Sequence, residues 1–75
     1  MGDGSSALVE EIEATIKGAA SGSRVLIIRL VVGKEISVSK MEIVSYLHDK
    51  FPGASIEIHD GKQSDAVVVK DIEVE

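Results

Sequence analysis

The sequence predicts an α+β domain: a two-layer sandwich in which two helices lie on one face of a three-stranded mixed sheet, in the order helix, strand, helix, strand, strand. Three observations predict it. Residues Val25 to Val32 are apolar on both faces of an extended segment, interrupted only by Arg29. Two stretches repeat their apolar residues at helical spacing, one on each side of that run. Two further segments, Ser55 to His59 and Ala66 to Val74, carry the β-branched residues and alternation of strands.

The first helix is expected from Ser6, where Leu8, Val9, Ile12, Ile16 and Ala19 recur on one side and Glu10, Glu11, Glu13 and Lys17 on the other. Its acids sit toward the start and its lysine toward the end, as the helix dipole prefers, and Glu13 and Lys17 stand four apart. The Gly18 to Gly22 stretch stops it before Ser23. Residues 1–5 are small and polar and read as a flexible N-terminus, leaving residues 6–75 as one domain.

The first strand, Arg24 to Val32, splits into Leu26, Ile28, Leu30 and Val32 on one face and Val25, Ile27, Arg29 and Val31 on the other. Gly33 ends it. Ser39 with Glu42 has the spacing of a capping box, and Val38 with Ile43 that of a hydrophobic staple, so a second helix runs from Lys40. Ile43, Val44, Leu47 and Phe51 form its apolar face, and Pro52-Gly53 closes it. In the next strand Ile56 and Ile58 point inward while Ser55, Glu57 and His59 point outward, and Asp60-Gly61 signals a hairpin. The last strand places Val67 and Val69 on the same face as its acidic end. A right-handed crossover through the second helix predicts a parallel pair, with the last strand filling the gap: spatial order first, third, second.

A chain of 75 residues builds one core and buries roughly 60% of its unfolded surface. With 44% apolar and 28% charged residues it is too hydrophobic and patterned to be disordered. The absence of cysteine removes disulfides, thiolate metal sites and a cysteine nucleophile. A net charge of −5, with Tyr46 and Phe51 as the only aromatics, is the wrong chemistry for a phosphate backbone, so no nucleic-acid partner is expected. No apolar run approaches the ~20 residues that span a bilayer, and the N-terminus lacks a signal peptide's basic and hydrophobic regions. The expectation is a small acidic cytoplasmic protein with no membrane association.

Two helices can shelter only one side of such a sheet. The other side is expected to present Val25, Ile27, Val31, Val67 and Val69 around Arg29, an apolar patch of the kind that marks a contact surface. The carboxylates offer a second possibility: Asp60 and Asp65, or Asp71, Glu73 and Glu75, as oxygen ligands for Ca²⁺, Mg²⁺ or Ni²⁺, although residues 59–65 lack the alternating acids of an EF-hand loop. His48 flanks the apolar stripe of the second helix, and His59 ends a strand beside Asp60. Neither belongs to a constellation of convergent acid–base groups, and there is no phosphate loop or nucleophile elbow, so an enzyme is not expected.

The segments Ala7-Leu8-Val9-Glu10-Glu11-Ile12, Ser23-Arg24-Val25 leading to Val32-Gly33, Ile36-Ser37-Val38, Gly53-Ala54-Ser55-Ile56-Glu57-Ile58 and Val69-Lys70-Asp71-Ile72-Glu73-Val74-Glu75, taken together, resemble the nickel-insertion accessory protein HypA of hydrogenase maturation. The resemblance spans nearly the whole chain. That family begins Met-His-Glu and binds nickel through the histidine, where this chain has Gly2, and its paired Cys-x-x-Cys zinc motifs have no counterpart here. What the resemblance implies is therefore the scaffold of the nickel domain, with no functional residue carried over. The function expected overall is that of a non-enzymatic accessory or assembly domain, which binds a protein partner or forms a homodimer through its open sheet face. The alternative is a small divalent-cation-binding protein.

Overall fold

The computed structural model describes residues 4–36 and 38–75, with side chains from Ala7 onward. It has two helices and a three-stranded mixed sheet in the order α-β-α-β-β. Residues 1–3 of the expected flexible start, and Ser37 in the lead-in to the second helix, lie outside the described residues.

Helix α1 spans Gly4–Ala20, two residues longer at its start than the periodicity indicated. That shift leaves its first turn without an acid, so the dipole is answered only at the far end, by Lys17. The chain leaves the helix through Ser21 at φ 52° and Gly22 at φ 87°, a left-handed exit that costs a glycine little. Strand β1 is Val25–Val32. Helix α2, Lys40–Lys50, is capped as its sequence requires: the Glu42 amide donates to Ser39 Oγ at 3.1 Å, and Val38 and Ile43 are both buried in the core. Phe51 is its C-cap and its amide donates to the Leu47 carbonyl. Strands β2, Ser55–Asp60, and β3, Val67–Val74, complete the sheet.

The strand order is β2-β1-β3, not first, third, second. The parallel pair is as expected, with β1 directly against β2, but β3 lies antiparallel on the other side of β1. The physical reason is that β1, the most apolar segment, takes the one position with a neighbour on each side. The segment after Asp60 is consequently no hairpin. It crosses the end of β1 and bonds to the chain that continues it: Gly33 N–H donates to Ala66, Lys34 to Lys62 and Glu35 to Ser64, while Gly61 donates to Val32. The crossing is so close that a Cβ on Gly33 would collide with the Ser64 backbone.

Ile28, Leu30 and Val32 of β1 are almost fully buried, in one cluster with Val9, Ile12 and Ile16 of α1 and Ile43 and Leu47 of α2. Each such side chain contributes about 1.5–3 kcal/mol by leaving water. Two irregularities interrupt the β1–β3 register: Val25 pairs with Val74 but Ile27 with Glu73, and Arg29 pairs with Asp71 but Leu30 with Val69. Leu26 is thus an extra residue on β1, and Lys70 an extra residue on β3.

Candidate functional site

The register arranges the side of the sheet opposite the core cluster into three rows. Ser55, Ile27 and Glu73 form the first, Glu57, Arg29 and Asp71 the second, and His59, Val31 and Val68 the third. Alternation along β2 keeps Ser55, Glu57 and His59 exposed, as the sequence indicated, and turns Ile56 and Ile58 toward the core.

Arg29 is the centre of this surface. Its Nη1 donates to Asp71 Oδ1 at 2.7 Å, its Nη2 to Glu73 Oε2 at 2.5 Å, and its Nε lies 3.5 Å from Glu57 Oε1. Those bonds, Asp71's first and Glu73's second, raise the guanidinium pKa further above its ordinary value. The side chain is 24% exposed, and its carboxylate partners are about half exposed, at 47% to 52%. His59 Nε2 lies 3.6 Å from Glu57. One guanidinium among three carboxylates leaves the surface with excess negative charge.

Of the residues expected on this face, Ile27, Arg29 and Val31 are there, each partly exposed. Val25, Val67 and Val69 are not. The extra residue on β1 turns Val25 into the core at 8% exposure and leaves Leu26 outward at 39%. The extra residue on β3 sets Val69 against Leu30 and Val67 against Val32, where both pack on the core, and turns Val68 outward at 57% exposure. Sequence reasoning missed Val68, because in a run of three valines nothing marks which one faces out, and Glu57, because nothing local sets it opposite Arg29.

The five candidate metal ligands are not brought together. Asp71 and Glu73 are held by Arg29. Asp60 Oδ1 accepts from Lys40 Nζ at 2.6 Å, which lowers the carboxyl pKa and ties the end of β2 to the start of α2. Glu75 lies 3.8 Å from Arg24, and Asp65 sits in the segment that crosses β1. Among the described residues no group of three or more His, Asp or Glu could hold a metal ion.

A concavity of about 430 Å³ opens between the C-terminal ends of both helices and the start of β1. Lys17, Arg24 and Lys50 line it beside Phe51 and Pro52. Helix C-termini carry partial negative charge, which accounts for Lys17 and Lys50 there without a ligand. Lys17 also bonds Glu13 at 2.8 Å, and Lys50 Nζ sits 5.5 Å from the Tyr46 ring centre.

No family model, curated protein or solved structure matches the chain. Among the described residues no helix is long and apolar enough to cross a membrane.

Proposed function

We propose that this chain is a non-enzymatic accessory or assembly domain that takes a protein partner on the Arg29 side of its sheet. The reading takes both helices to lie on the Ile28 side, leaving the Arg29 side uncovered. Its support is the juxtaposition of Ile27, Val31 and Val68 with an arginine fixed by Glu57, Asp71 and Glu73. Apolar groups beside a fixed guanidinium are the part of this surface that fits the centre of a protein interface, where arginine is enriched. The negative excess around Arg29 selects a partner with basic side chains over a second copy of the same face. The resemblance to HypA implies the scaffold alone and carries no functional residue over, because the chain has no histidine at position 2 and no cysteine.

Ile27→Asp tests the reading, because it adds a charge to the face without touching Ile28 or Leu30. The expected outcome is an unchanged circular dichroism spectrum with loss of a protein that the unmodified chain captures. Identical capture by both forms, together with amide spectra in which the first and second rows never shift, sinks the proposal.

A further inference from the structure

We propose that a second copy of this chain pairs antiparallel with the free edge of β3, joining two three-stranded sheets about a two-fold axis that passes between Lys70 and Asp71. This goes beyond the reading of the Arg29 face, since it concerns an edge and a different occupant.

β3 is an edge strand of eight residues whose one strand partner is β1. Among the described residues no other backbone group bonds to it, so alternate amides and carbonyls along it are without a strand partner. Two of the exposed large apolar residues, Val68 and Val74, lie on it.

The register singles out self-pairing. A two-fold axis perpendicular to a sheet sets residues of the two copies opposite each other only if they share a face. In a regular strand, partners must therefore differ by an even number. Full overlap of β3 pairs Val67 with Val74, Val68 with Glu73 and Val69 with Ile72, all odd separations. A regular strand would set core-facing residues against outward ones.

The extra residue at Lys70 removes that conflict. Val69 and Ile72 both stand opposite core-side residues of β1, Leu30 and Ile28, and Val68 and Glu73 both stand opposite outer-side residues, Val31 and Ile27. The bulge thus makes this strand self-complementary over its whole length. At the centre, Lys70 of each copy meets Asp71 of the other, twice by symmetry. Asp71 belongs to the ring of three carboxylates around one guanidinium, and the incoming lysine supplies charge that ring lacks.

Sedimentation equilibrium over a wide concentration range, with amide exchange on the same samples, tests the proposal on the full chain. The expected result is a monomer–dimer equilibrium in which alternate β3 amides gain protection as concentration rises. In mixed-isotope samples, contacts should appear between Val69 of one copy and Ile72 of the other. Lys70→Glu should weaken the dimer about tenfold or more while Lys70→Arg retains it, both with unchanged circular dichroism. A monomer at every concentration overturns the proposal, as does a dimer indifferent to Lys70→Glu. A dimer abolished by Ile27→Asp but untouched by Lys70→Glu overturns it too, because it puts the second copy on the Arg29 face.

Discussion

The chain's one tyrosine makes a tight hydrogen bond between the two helices. Tyr46 of α2 donates to Glu13 Oε1 of α1 at 2.7 Å, while Lys17 holds the other carboxylate oxygen at 2.8 Å. The bond to Lys17, then the bond to Tyr46, lowers the Glu13 pKa; the bond to Glu13, then burial, pushes the Tyr46 phenol up to about 12. A lowered carboxyl stabilises the fold above its ordinary value of 4.5, and that contribution is lost as pH falls through the lowered value. A raised phenol stabilises the fold below its ordinary value of 10.0, and that contribution is lost as pH rises through about 12. The contact is therefore complete between those ordinary values. Because the chain has no tryptophan, tyrosinate absorbance reports Tyr46 alone. Its midpoint should lie near 12 and fall back toward 10.0 in Glu13→Ala; an unchanged midpoint would refute the pairing. Sequence spacing showed Glu13 with Lys17, four apart on one helix, but it could not show Tyr46, which lies 33 residues away.

At the scale of elements, the helices were legible because each is written in local chemistry. Ser39, Glu42 and Pro52 fix α2 within a residue at either end, and apolar spacing places Ile12, Ile16, Ile43 and Leu47 in the core. The strands were legible in position but not wholly in facing. Alternation assigned Ile56 and Ile58 correctly, whereas Val25, Val67 and Val69 changed sides across the extra residues at Leu26 and Lys70. A bulge arises from the pairing of two strands, and neither strand alone announces it. The facing of β1 has a direct test. Ile28, fully buried, should cost about 2–5 kcal/mol on replacement by Ala, and the partly exposed Ile27 distinctly less. Denaturant unfolding measures both, and equal losses would mean that β1 is covered equally on both faces.

The whole molecule depends on a crossing that no local signal described. Asp60-Gly61 looks like a hairpin turn, yet residues 61–66 pass over the end of β1 to deliver β3 to its far side. Gly33 permits the close approach, since any side chain there meets the Ser64 carbonyl. Gly33→Ala should destabilise the chain by about 1–3 kcal/mol, with amide shifts concentrated at residues 61–66. If stability and those shifts stay the same, the crossing is looser than described. The same crossing creates the candidate site: with β1 central, Arg29 meets Glu57 from one neighbour and Asp71 and Glu73 from the other. With β3 in the middle, Arg29 would sit on an edge strand, out of register with Glu57.

The sequence by itself determined the α+β class, the order of the five elements, the caps of α2 and most of the core, because propensity, periodicity and capping act over a few residues. Tertiary structure alone decided which strand is central, which valines turn outward and which acids surround Arg29. Those outcomes follow from pairing between residues 28 to 49 positions apart, where a single extra residue reverses a face and local pattern carries no record of the partner.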